Sequence, residues 1–477
     1  MLPVARRSAT RRGVAVASAV IAVVVLAGVA GRADPTPLPV PSSPSPTSAS
    51  ASTRVDDWRE DLAVVRDVFL ARDRSYPAPA RQAATSRLEQ LGGRLAELDD
   101  VEIAAELARI AALSANAHTR VYLLRNRGHW RRYPLRLWRF DDGWRVVAAQ
   151  GAAEELLGGR VTHVAGRPVE EVFAALRPLF AGNESWARYM GSYTLTSADA
   201  LHAAGLVDLD GSAEFRVETR DGVASLAVEP GAFERRDGPE ESWWFLSPAR
   251  ANGPAWHYAI ASAPLPQWLT GSPADYRFAR CAGVIYVQFN RAVDTPGSET
   301  IAAWSERLLA EIERRPPRRL LFDLRFNTGG DLTRARPLVE ALAASALGSV
   351  RGGLVVLSGE TTFSAGITPL AVLRGTSRAI VVGRHPGDGT DFWAEGGNVV
   401  LPHSRLVLHY ADGLHSYSGR ARAAGLDQHI DLGLAVADLE PDLSVRSTWR
   451  DYASGRDADV EAALGAPLRC DATAAAR

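Results

Sequence analysis

The spacing of apolar residues divides this chain into stretches with different rhythms. From Gly13 to Gly31 the sequence runs 19 residues without a charge, directly behind Arg6, Arg7, Arg11 and Arg12. A basic front ahead of such a run predicts a secretory signal or a signal anchor, with everything after it outside the cytoplasm. Between Pro35 and Pro46 fall six prolines in a Ser/Thr/Ala background. That composition cannot bury enough apolar surface to fold and predicts an extended linker over 32–54. Residues 1–31 and 32–54 are therefore set apart from the globular part.

The rhythm then turns helical. Trp58, Leu62, Val65 and Phe69 form one stripe, with Asp56 or Asp57 as the expected cap, and Ile103, Leu107 and Ile110 form another. This predicts a helical region over 55–125, ending in the turn Ala117-His118-Thr119. Alternation over Tyr133–Ala149 with Asp141-Asp142-Gly143, and again over Ser212–Glu229 with Asp221-Gly222, predicts two hairpins in a β-rich region, 126–235. A Trp- and Pro-rich connection covers 236–280. From 281 to 450 short apolar strands (284–289, 320–324, 354–357, 379–382) alternate with helical stripes such as Ile301, Trp304, Leu308 and Ile312. Alternation of this kind predicts parallel crossover units, hence an α/β fold. Residues 451–477 read as a C-terminal tail.

Composition narrows the chemistry. Of 477 residues, 46% are hydrophobic and 23% charged, which excludes fibrous and wholly disordered classes. The 54 basic and 55 acidic side chains nearly cancel, so no global field favours nucleic acid. All 54 basic residues are arginine; no lysine occurs. Schiff bases, P-loop lysines and serine–lysine dyads are excluded with it. The ten histidines include no His-Glu-x-x-His, so no metal motif is read, and no cofactor is called for. Cys281 and Cys470 either form one bridge in an exported chain or remain two thiols. The arginines and aromatics of 125–140 read as the solvated face of a sheet, with a fork for a peptide carboxylate as the alternative.

Two strand-to-helix turns carry candidate chemistry. In the first, Leu320-Leu321-Phe322-Asp323-Leu324-Arg325 runs into Asn327-Thr328-Gly329-Gly330-Asp331, where paired glycines free backbone N–H groups for an oxyanion. In the second, Thr361-Thr362-Phe363-Ser364-Ala365-Gly366, Ser364 stands at a helix start, where dipole and free amides favour negative charge. Taken singly, each fits an ordinary capped turn equally well.

Together with Val381-Val382-Gly383 and Leu401-Pro402, in this order and spacing, the two turns resemble the catalytic domain of tail-specific, or C-terminal processing, serine proteases and their tricorn-core relatives. The resemblance covers about Gly283 to Val445. It implies a ClpP/crotonase-like ββα spiral preceded by the helical region, and a degenerate PDZ-like module around Leu157–Val172. It implies Ser364 as nucleophile and the backbone N–H groups of Gly330, Ala365 and Gly329 as oxyanion donors. Processing proteases carry a general-base lysine 25 positions after the serine; here that residue is Gly389. The tricorn-like branch instead uses a histidine at the end of the helical region, which implies His118 as base, with His385 as rival. For the orienting acid it implies Glu440, with Asp391 and Glu395 as alternatives. The resulting expectation is an exported serine peptidase acting on peptides or proteins, touching the membrane only through its N-terminal segment. The alternative is a non-catalytic ligand- or peptide-binding protein on the same scaffold, favoured by the tryptophans Trp243, Trp244, Trp256 and Trp268. A crotonase-type acyl-CoA enzyme fits poorly, because it leaves Ser364 unexplained.

Overall fold

The computed structural model describes residues 51–124, 128–231, 256–260, 264–270, 274–468 and 470. The signal or anchor segment and most of the linker lie outside these residues, as do Trp243 and Trp244. Among the described residues no helix is long and apolar enough to cross a membrane. The first helix, Ala51–Val64, begins inside the stretch read as linker, so Asp56 and Asp57 stand within it rather than capping it. Its stripe is buried as expected: Trp58, Leu62, Val65 and Phe69 all face the core. A second stripe, on the helix Asp100–Ala112, starts at a capping box in which Asp99 accepts from Glu102 N and Glu102 returns the bond. Ile103, Leu107 and Ile110 of that helix are buried and aim the chain into the His118 turn.

Both hairpins form, with Gly143 and Gly222 at φ +119° and +129°, values glycine reaches without Cβ strain. They belong to one seven-stranded sheet that also contains Arg160–Val164, followed by the helix Val169–Leu176. Arg125 and Arg127 lie outside the described residues, and the others expected to be solvated are largely paired. Arg131 pairs with Asp199 at 2.6 Å, Arg139 pairs with Glu170, and Arg136 is buried over the Trp256 ring. Strand Leu135–Phe140 is buried at nearly every position; Arg131 and Arg136 are spent on a buried acid and a ring, while Arg139 pairs with a glutamate at the surface. Trp268 packs on Phe326 with ring centroids 4.8 Å apart. Of the four tryptophans set against catalysis, the two described ones pack inside: Trp256 is buried and Trp268 lies against the core.

The second half is built on a six-stranded sheet. Its order is Leu443–Ser444, Ile380–Gly383, Leu354–Ser358, Arg319–Asp323, Val284–Phe289 and Tyr276–Cys281, parallel except for the last pair. These strands are short apolar runs because both faces are covered. One face packs Ile285, Phe322 and Val356 against helices Ile301–Arg314, Leu332–Ala344 and Ile367–Thr376. The other packs Tyr286, Leu321 and Val355 against Val460 and Ala463. The stretch read as a tail thus supplies a helix, Ala458–Leu464, to the core. An ion network fixes it. Buried Arg325 bonds Asp323 on its own strand end, Asp457 at 2.8 Å and Asp459 at 2.9 Å. Cys281 and Cys470 are joined by a disulfide.

Two small sheets bring the halves together at the site. Arg120–Val121, just after His118, pairs antiparallel with Val407–Tyr410, which pairs with Gly397–Val400. Asp391–Ala394 pairs with Gly413–Ser416, beside Ile430–Asp431.

Candidate active site

Asn327 joins the two turns. Its Nδ2 donates to Phe289 O at 2.8 Å, its Oδ1 accepts from Gly329 N at 2.9 Å, and its carbonyl accepts from Phe363 N at 2.9 Å. Thr362 Oγ1 adds a bond to Leu324 O at 2.7 Å. The glycine turn and the serine turn are therefore one rigid unit rather than two loops. A Cβ placed on Gly329, which sits at φ +113°, would lie 2.8 Å from Ser364 Cβ and 3.1 Å from its Oγ. Glycine is required there because the serine occupies that space.

Ser364 itself has φ +56°, a conformation that costs a residue with a Cβ about 1–3 kcal/mol. Its N–H donates to Asp388 Oδ2 at 3.1 Å, so the strained turn is held by a carboxyl group. Of the three expected oxyanion donors, Gly329 N–H is consumed by Asn327. Gly330 forms a parallel bridge to Ala292 that uses the Gly329 carbonyl and the Asp331 N–H, leaving its own N–H turned away. Ala365 opens the helical turn, where N–H groups lack intrahelical acceptors. Among the described residues neither Gly330 N–H nor Ala365 N–H has a backbone acceptor outside a helix or strand.

His118 lies beside this turn. Its ring stacks between Phe363 (centroids 4.4 Å apart) and Phe392 (5.4 Å), and it is only 6% exposed. Nδ1 stands 3.8 Å from Asp388 Oδ2, beyond hydrogen-bond reach, and neither ring nitrogen has a hydrogen-bond partner. Burial holds the imidazole pKa well below its usual value, with Arg120, His409 and His415 adding to the effect. Burial likewise pushes the Asp388 carboxyl well above the usual carboxylate range, against the opposing pull of the Ser364 N–H and Arg120. Burial thus favours the uncharged form of each group. A cavity of about 240 Å³ opens on the same loop, lined by Ser75, Asn116, Asn183, Asp388, Asp391 and Phe392.

The remaining candidates lie elsewhere. His385, one-third exposed, bonds Pro386 O at 2.8 Å through Nδ1, and its Nε2 is 3.8 Å from Glu440. Glu440 is therefore the neighbour of the rival base, and its carboxylate is two-thirds exposed. Asp391 caps Ser418, and Glu395 faces His415 and His429. The carboxyl group at His118 is Asp388, which the sequence reading passed over. Its signal was an acid flanked by Gly387 and Gly389 in the loop after the Val381 strand. No pattern pointed to the Phe363 and Phe392 rings that clamp the imidazole.

No family model and no curated protein sequence matches this chain. Among solved structures, mature CPAF complexed with lactacystin aligns at 14% identity over 87% of this chain and 97% of that one, with a TM-score of 0.53. A second structure of mature CPAF aligns at 13% identity over 85% and 94%, also at 0.53. The photosystem II D1 C-terminal processing protease aligns at 14% identity over 85% and 99%, with a TM-score of 0.33. The chain thus has the mixed α/β fold of mature CPAF over 87% of its length.

Proposed function

We propose that this chain is an exported serine peptidase in which Ser364 is the nucleophile and His118 the base. The observation that carries the reading is that a buried imidazole, drawn from 246 positions earlier in the chain, stacks on Phe363 next to Ser364 at the strained turn and faces the same Asp388 carboxyl group that holds the Ser364 N–H. Ser364 Oγ attacks the peptide carbonyl carbon as His118 takes its proton. The carbonyl oxygen becomes an oxyanion held by the Gly330 and Ala365 N–H groups, and His118 returns the proton to the departing amine. Water then repeats the sequence on the acyl-enzyme. A base must be neutral to accept a proton, and the lowered pKa keeps His118 so. Asp388 stands where it can face the imidazolium as it forms, and its bond to the Ser364 N–H fixes the turn. Serine–base hydrogen bonds are often loose before substrate binds, so the unbonded imidazole nitrogens are consistent with this role.

The same reading takes the six-stranded sheet with its helices as a ββα spiral, and the strand–turn–helix Arg160 to Leu176 as a PDZ-like remnant. The Cys281–Cys470 disulfide supports an oxidising compartment and hence export through the N-terminal segment, whether cleaved or kept as an anchor. A second reading, ligand binding without catalysis, draws on the lack of any bond from His118 to Ser364.

A fluorophosphonate probe on the full-length chain separates the two. Labelling is expected in the parent and in His385→Ala, and lost in Ser364→Ala and His118→Ala. Labelling that persists in Ser364→Ala rejects the nucleophile. A folded parent that stays unlabelled favours the binding protein.

A further inference from the structure

Behind the base, Glu395, His415 and His429 converge from three separate segments. His415 lies on the strand Gly413–Ser416, His429 precedes Ile430–Asp431, and Glu395 follows Asp391–Ala394. His415 Nε2 is 3.0 Å and His429 Nε2 3.7 Å from the same carboxylate oxygen, Oε1. The three donor atoms all lie within 4.8 Å of one another. The two rings stack 5.8 Å apart at 22°, presenting both nitrogens on one side. Two imidazoles turned to one oxygen of a carboxylate exceed what one ion pair requires. A tetrahedral ion with ligand distances of about 2.0–2.2 Å needs donor atoms about 3.4 Å apart, midway between the two observed separations.

We propose that Glu395, His415 and His429 form a binding site for a divalent zinc-class cation. Two imidazoles and one carboxylate suit zinc, cobalt or nickel rather than magnesium or calcium, which prefer all-oxygen shells. His429 and Glu395 are about half exposed, so the ion has an entry path and an open position for water, whereas His415 is buried. Binding through Nε2 leaves the His415 proton on Nδ1, which is buried without a partner. The Phe392 ring stands between the His415 and His118 rings, with centroids 5.1 and 5.4 Å away. The site therefore lies one ring from the base, separate from the serine.

The test uses full-length chain carrying no histidine tag, stripped with chelator and titrated with Co²⁺ followed by visible absorption, then with Zn²⁺ in competition. One equivalent is expected, weakened at least about 10–100-fold in His429→Ala and in Glu395→Gln, since loss of even an outer-shell partner of a ligand costs that much. His202→Ala serves as control, because His202 with Asp99 and Glu102 is the other such cluster among the described residues. Unchanged binding in His429→Ala, loss in His202→Ala instead, or no binding by folded chain each overturns the assignment. Because His429 is exposed, its replacement is expected to leave the circular-dichroism melt of the metal-free chain unchanged. The readout is metal binding, so it stands whatever the outcome of serine labelling.

Discussion

Ser364 at φ +56° and Asp388 buried beneath it form a pair in which strain and charge act on the same few atoms. Replacing Asp388 with Asn keeps the acceptor for the Ser364 N–H but removes the ionisable group. The folded pKa of Asp388 is raised, so its stabilising contribution is complete below the unfolded carboxylate value, about 3.9, and is lost as pH rises toward the folded value. Asp388→Asn is therefore expected to melt higher than the parent at pH 8 and no higher at pH 4, read by thermal denaturation. His118 runs the other way. Its lowered pKa contributes stability above the unfolded value, about 6.5, that is lost as pH falls toward the folded value. The acid limb of fluorophosphonate labelling should accordingly lie below pH 6.5, and an acid limb at or above that value would remove His118 as the titrating base. Activity in Asp388→Asn should fall about 10²–10⁴-fold if the group helps the imidazole accept its proton. An unchanged rate would reduce Asp388 to a structural cap.

Elements carry the next layer. The strand-to-helix turns, the buried strands and the helical stripes were legible because each is decided by local spacing and by glycine or serine at a turn. The arginine-rich strand was misread in part, because its alternation with aromatics is equally that of a sheet whose guanidinium groups, such as those of Arg131 and Arg136, are spent on buried acids and rings. Sequence cannot say that Asp199, Glu170 and the Trp256 ring stand within reach. The joined turns also yield a prediction. Gly329→Ala must place its Cβ 2.8 Å from that of Ser364 at a φ of +113°. It should abolish labelling and cost about 1–3 kcal/mol of stability in denaturant unfolding. Retained labelling would mean the two turns move independently.

At the scale of the whole molecule, the C-terminal segment is a layer of the half built on the six-stranded sheet. Arg325, two residues before the keystone Asn327, is buried and neutralised by Asp323, Asp457 and Asp459. Its guanidinium is pushed still further above its usual pKa by these carboxylates, although burial opposes the charge. Asp457→Ala leaves that charge short of a partner and should cost about 3–5 kcal/mol, measured by urea denaturation. A loss below 1 kcal/mol would show that Asp459 and Asp323 suffice. Cys470→Ser opens a 189-residue loop and is expected to cost about 2–5 kcal/mol, with no further effect of reductant on the variant.

By itself, the sequence determined the serine and glycine turns, the exclusion of a lysine base, and the α/β rhythm of 281–450. Each depends on residues near one another in the chain, or on the plain absence of a residue type. Tertiary structure alone decided which acid meets His118, which glycine N–H is already taken, and that Glu395, His415 and His429 share one point. Those outcomes depend on distances between segments far apart in sequence. Such distances are fixed only when burial forces the helical half and the sheet half to close on one another.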